Sequence, residues 1–164
     1  MLAKCCKCLN RKCSDELTEE NLNNYEDKDI KLFSFSGHKC QVKIVDVYDG
    51  DTFTGIFQYK NDILKYKFRC YGYDSPEMKP LKSIPNRETI KEKAKEAKLK
   101  FIDLTNCERS FVIVEFGDFD KYGRILAKVY RKDNNLYIND EMVKQGYAVE
   151  YFGKTKTANN GENN

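Results

Sequence analysis

The chain has 164 residues, 40% of them hydrophobic, which is enough for one sizeable core and short for two. Its 29 basic and 26 acidic residues leave a net charge of +3, permitting a nucleic-acid partner and excluding a histone-like polycation. A single histidine, His38, rules out two-histidine acid–base chemistry and His-rich zinc sites, and no apolar run is long enough to cross a bilayer.

Residues 1–13 carry Cys5, Cys6, Cys8 and Cys13 among Lys4, Lys7, Arg11 and Lys12, with no acid. Such an arm reads as a flexible basic terminus, as a thiolate metal site, or as a substrate for S-acylation. The thiolate site ranks last, because the spacing lacks two separated ligand pairs. Acylation of Cys5, Cys6 and Cys8 beside basic residues would give peripheral attachment to an anionic membrane face. The first residues lack the apolar run of a secretory signal, so an intracellular location is expected. The seven cysteines are an odd number, which favours reduced thiols over a disulfide framework. Residues 14–37 turn acidic and Asn-rich and read as a mostly disordered linker. A single domain is expected over 38–152, followed by a polar, disordered tail at 153–164.

Within the domain, Gln41 to Tyr48 is rich in Val and Ile and reads as a strand ending at Asp49-Gly50. Thr52 to Tyr59 is a second strand, and Ile63 to Tyr73 a third, in which Leu64, Tyr66, Phe68 and Cys70 alternate with Lys65, Lys67 and Arg69. A helix is expected from about Asn86 to Thr105, with Ile90, Ala94, Ala97, Phe101 and Leu104 on one face and lysines and glutamates opposite. Ser110 to Phe116 and Ile125 to Arg131 complete the strands around a turn at Asp118 to Gly123. Asn139 is placed as the cap of a short helix that Gly146 ends. Five short strands with a helix after the third fit an α+β fold: a five-stranded OB-type Greek-key barrel with one long helix and a short C-terminal one.

The chemistry concentrates at turns. Asp49-Gly50-Asp51-Thr52 and Asp74-Ser75-Pro76-Glu77 place three carboxylates at strand ends, with Arg69 nearby. Taken singly, each segment is adequately explained as a turn. Together, Asp51 and Asp74 offer hard oxygen ligands suited to Ca²⁺ or Mg²⁺, and Glu77 could take a proton from water. Phosphodiester hydrolysis also needs guanidinium donors for the charge that builds on phosphoryl oxygens. Arg69 is one candidate and Arg124 a second, though each also reads as a solvated surface arginine.

Asp-Gly-Asp-Thr at 49–52, Phe-Arg at 68–69, Asp-Ser-Pro-Glu at 74–77, Asp-Lys-Tyr-Gly-Arg at 120–124 and Ile-Asn-x-x-x-Val-x-x-Gly-x-Ala at 138–148 resemble the staphylococcal (micrococcal) nuclease family. The resemblance spans about residues 39–152 in the family's order. It implies an OB-type barrel and a Ca²⁺-dependent nuclease acting on DNA and RNA that leaves 3′-phosphates. It further implies Asp51, Asp74 and the Ser75 carbonyl as metal ligands, Glu77 as general base, and Arg69 and Arg124 as hydrogen-bond donors to the phosphate and the transition state. Ser75 stands where one member of the family has Thr, a change to which a carbonyl ligand is indifferent. Tyr122 and Tyr151 are the aromatic candidates for base stacking, and for Tyr151 a packing role stands beside that one. Two rival readings remain. One is a catalytically inactive nuclease-like module that binds nucleic acid or protein; the other is a membrane-tethered adaptor, which leaves the carboxylates idle.

Overall fold

The computed structural model describes residues 19–105 and 111–153. The chain divides into two compact units, residues 1–33 and 34–164. In the first, the described part contains a short helix, α1 (Glu19–Leu22), and a 3-10 turn (Asp27–Asp29). The expected cysteine arm, with Cys5, Cys6, Cys8 and Cys13, lies outside the described residues, as does the tail beyond Gly153.

The second unit is built from β1 (Lys39–Val47), β2 (Thr52–Tyr59), β3 (Asp62–Cys70), β4 (Gly72–Asp74), α2 (Arg87–Thr105), β5 (Phe111–Phe119), β6 (Ile125–Arg131), α3 (Ile138–Lys144) and β7 (Val149–Tyr151). Five strands close into a barrel in the order β1-β2-β3-β6-β5, with β3 and β6 parallel and the other neighbours antiparallel. This is the expected OB-type α+β architecture, with the long helix after the third barrel strand. Alternation along the strands turns one face of each into the barrel. Ile125, Ala127 and Val129 on β6 are fully buried, while the residues between them are only partly so. Helix α2 buries Ala94, Ala97, Phe101 and Leu104, and Phe101 stacks on Phe53 of β2 with ring centroids 5.7 Å apart. Cys40 and Cys70 are free thiols.

Several local features differ from the sequence expectation. The run from Ile63 to Tyr73 is two strands, because Gly72 adopts φ +88°, a conformation open to glycine at little cost. The chain turns there, and β4 pairs with β7 in a separate two-stranded sheet that sets Gly72 opposite Tyr151. Strand β5 continues past Phe116 to Phe119 through an irregularity in its register with β6, so the connecting turn is Asp120 to Arg124.

Asn139 does not cap α3. The helix starts at Ile138 with Tyr137 at the cap position, and the Asn139 side chain is buried. It accepts from the Val129 amide at 2.9 Å and donates to the carbonyls of Tyr71 and Ala127 at 2.8 and 3.0 Å. A buried amide with these bonds satisfied fastens the helix to β6 and to the β3–β4 junction. The core also reaches N-terminal of residue 38. Phe35 is buried in a cage of Phe57, Tyr59, Tyr66, Phe116 and Phe119.

Candidate active site

The β1–β2 turn, the β3–β4 junction and the β5–β6 turn meet at one end of the barrel. The β1–β2 turn closes with the amide of Tyr48 donating to the Thr52 carbonyl at 2.9 Å. It is tied to β3 by the Cys70 amide, which donates to the Asp51 carbonyl at 2.8 Å. Tyr73, fully buried on β4, donates its hydroxyl to the Gly50 carbonyl at 2.7 Å. Burial pushes the pKa of that phenol well up, so it stays protonated and the bond holds. Gly50 serves close packing here, since it lacks the positive φ that a type I′ turn requires. A Cβ on it would fall 2.8 Å from Ser75 Cβ and 2.9 Å from Ala97 Cβ.

These ties set Asp51, which is buried, against Arg69. One oxygen of Asp51, Oδ1, accepts from Arg69 Nη1 and from the Thr52 hydroxyl, the latter at 2.9 Å. The other, Oδ2, accepts from the Ser75 amide at 2.9 Å. Arg69 Nη2 reaches Asp74 Oδ1 at 2.7 Å and the Tyr73 carbonyl at 3.4 Å. One guanidinium is thus shared between a carboxylate of the β1–β2 turn and one at the end of β4. Burial acts to lower the Arg69 pKa, but Asp51 and Asp74 outweigh it and hold the group firmly charged.

Asp49 is buried beside this pair and accepts from the Asp51 amide at 3.1 Å. Burial, and then the Asp51 carboxylate, push its pKa up to about 6. Cys70 borders the same space, but burial drives its thiol pKa far up and leaves it no nucleophile.

Arg124 is held from two sides. Its amide and the Tyr122 amide both donate to Asp120 Oδ1 at 2.9 Å, and its Nε donates to Asp120 Oδ2 at 2.7 Å. From the other side, Nη1 donates to Thr52 Oγ1 at 3.3 Å. Gly123, at φ +76°, turns the chain between them. Tyr122 stands 72% exposed, with Arg124 Cζ 5.4 Å and Lys121 Nζ 5.0 Å from its ring centroid.

All eight residues singled out from the sequence line one cavity of about 820 Å³: Asp51, Arg69, Asp74, Ser75, Glu77, Tyr122, Arg124 and Tyr151. Glu77 is exposed at its edge, and its Oε1 accepts from the Lys79 amide at 3.2 Å. Tyr151 reaches the cavity through the β4–β7 pairing. The sequence reading gave no role to Asp120, to Thr52 or to the Asp49 carboxylate. Asp120 stands four residues before Arg124 in a turn closed by glycine, and that spacing was the available signal.

The donor set suits a hard divalent cation. Asp51 and Asp74 bond the same guanidinium and line the same cavity, and the buried hydroxyl of Ser75, which also lines it, has no hydrogen-bond partner. Among the described residues no group of three or more His, Cys, Asp or Glu side chains forms a metal cage. Backbone carbonyls and water would therefore have to complete a shell, as Ca²⁺ tolerates.

An OB-type barrel whose mouth gathers carboxylates, two arginines and exposed tyrosines belongs to the nuclease-like class of such folds. The family model for staphylococcal nuclease homologues matches residues 67–164, more than half of the chain, and the chain belongs to that family. Asp51 lies before the matched stretch; Arg69, Asp74, Ser75, Glu77, Tyr122, Arg124 and Tyr151 lie within it. An uncharacterized protein of Methanocaldococcus jannaschii is 32% identical over 125 residues, covering 67% of this chain. The chain spans 58% of that relative's length.

Proposed function

We propose that this chain is a Ca²⁺-dependent phosphodiester hydrolase that cuts DNA and RNA and leaves 3′-phosphate ends. The observation that carries the reading is the guanidinium of Arg69, which Asp51 and Asp74 share in a water-accessible cavity that Glu77 and Arg124 also line. Asp51, Asp74 and the Ser75 carbonyl would hold the cation. When bound, a Ca²⁺ ion offsets phosphate charge and makes a water more acidic. Mg²⁺ fits less well, because it demands a near-ideal octahedron that two carboxylates fixed on separate packed segments do not readily provide.

Glu77 takes the proton as the water oxygen bonds to phosphorus. The bond from phosphorus to the 5′ oxygen breaks, its electron pair stays on that oxygen, and the oxygen takes a proton from the water that reaches the cavity. Arg69 and Arg124 donate to the phosphoryl oxygens as their charge grows. Both are held by carboxylates, and so little reorganisation is needed when the reaction begins. Tyr122 offers an exposed ring on which a base can stack, a contact tolerant of base identity and of DNA or RNA.

The test is digestion of single-stranded DNA and RNA with Ca²⁺, with Mg²⁺ and with chelator, followed by analysis of the ends. Cleavage in Ca²⁺ alone with 3′-phosphate products is expected. Binding of nucleic acid without cleavage in any metal would instead favour the inactive module.

A further inference from the structure

Beside the catalytic cavity runs a second one of about 720 Å³, between the segment after Glu77, helix α2 and the start of β7. The two meet at Asp74, Ser75 and Glu77, which line both. Beyond that junction the acids stop. The walls carry Leu81, Ile84, Ile90 and Val149, with Lys79 and Lys93 as the charged groups. Leu81 is 71% and Val149 66% exposed, apolar surface left in water beside a polar site.

We infer that this groove is a nucleic-acid subsite, holding the single strand on the 5′ side of the scissile phosphate, the part that keeps the phosphate after cleavage. The inference rests on the hydrolase reading above. In-line displacement puts the attacking water and the leaving oxygen on opposite sides of phosphorus. With Glu77 receiving the water's proton, the water stands on the Glu77 side. The leaving 5′ oxygen then departs with its strand into the first cavity, toward Arg124 and Tyr122. The strand that retains the phosphate is attached off that axis and is free to turn to the Glu77 side, where the groove continues. Lys79 and Lys93 supply cations for its backbone, and the apolar wall receives the face of a base or sugar. An unstacked base fits such a wall, whereas a duplex keeps its bases paired and stacked away from it.

Oligonucleotides cleaved at one mapped bond and lengthened by up to about four nucleotides on the 5′ or the 3′ side test this. For the unaltered protein, the first 5′ additions should raise kcat/KM about tenfold. Lys93→Glu combined with Leu81→Ala, both at exposed positions, should remove that increment and leave cleavage of the unextended substrate unchanged. An unaltered 5′-length dependence in the double variant, or an effect confined to 3′ extension, overturns the assignment. A groove built for a protein segment or a second copy would give no 5′-length dependence, which also overturns the assignment. Fluorescence anisotropy of the same labelled strands in chelator separates the two readings. If nothing is cut, the hydrolase reading falls, and tighter binding of 5′-extended strands that the variant loses still upholds the groove; equal binding by both proteins overturns it even if cleavage is seen.

Discussion

Thr52 Oγ1 accepts from Arg124 Nη1 at 3.3 Å and donates to Asp51 Oδ1 at 2.9 Å, so a single hydroxyl links the β5–β6 turn to the carboxylate of the β1–β2 turn. The two turns lie far apart in sequence and touch the same reacting group in the proposed mechanism. Thr52→Val keeps the side-chain shape and removes the link. We expect turnover to fall about tenfold, the effect of a loosened transition-state donor, with a stability loss of about 1 kcal/mol. Steady-state kinetics and thermal melts on the variant measure both. Unchanged turnover would mean that Asp120 alone positions Arg124.

Asp120 is that other support. Burial acts to raise its pKa, but the Arg124 amide and guanidinium and the Tyr122 amide outweigh burial and hold it below the ordinary carboxylate value. A folded pKa below the unfolded one stabilises the fold at every pH above the unfolded value, and the contribution disappears as pH falls through the folded value. Asp120→Asn should therefore be less stable than the parent by about 1–2 kcal/mol at neutral pH. The gap should close only in acid, below the ordinary carboxylate range. Urea titrations across pH read this directly, and a gap that persists into strong acid would contradict it.

Glu77 meets solvent at the cavity edge, where its Oε1 accepts from the Lys79 amide. Replacing it with Gln preserves size and that acceptor while removing the proton acceptor. Turnover should drop by about 10²–10⁴-fold, with nucleotide binding largely intact. Binding that weakens in step with rate would give Glu77 a substrate-holding role.

Arg124 engages Asp120 through Nε and Thr52 through Nη1, two directions from one planar group. Lysine keeps the charge but has a single nitrogen, so Arg124→Lys cannot hold both supports and still donate to phosphate. A loss of about 10²-fold or more in kcat is expected, measured on the same oligonucleotide as the parent. Near-normal turnover would remove Arg124 from the mechanism.

The barrel strands were legible because alternation at period two carries into burial, as along β6. The face of α2 was legible for the same kind of reason at helical spacing. The three-residue strands β4 and β7 were not, since so short a run has no period, and the placing of Tyr151 depends on them. Asn139 looked like a cap because its residue type favours caps; only closure of the barrel brings Val129, Ala127 and Tyr71 around it. At the site, the residue types were readable from turn motifs, yet the sharing of Arg69 between Asp51 and Asp74 was not. That depends on where the chain turns from β3 into β4 at Gly72, a tertiary consequence of one backbone angle.

Gly50 and Gly123 flank the cavity and are glycines for different reasons, which their alanine variants should separate. At Gly50 the backbone is ordinary, but a Cβ would stand 2.8 Å from Ser75 Cβ and 2.9 Å from Ala97 Cβ. Neither neighbour is the free end of a flexible chain, so the turn must shift away from α2, at about 1–3 kcal/mol. The shift also moves Asp51, the next residue, and activity should fall with stability. At Gly123 a Cβ meets nothing within 4 Å, but φ is +76°. Gly123→Ala should therefore cost only the backbone preference, about 1–2 kcal/mol. Denaturant midpoints give the stability of each, and kcat on a common substrate gives the displacement of Asp51. If Gly50→Ala lost stability but kept full activity, the Asp51 carboxylate could not be as tightly placed as the proposed metal site requires.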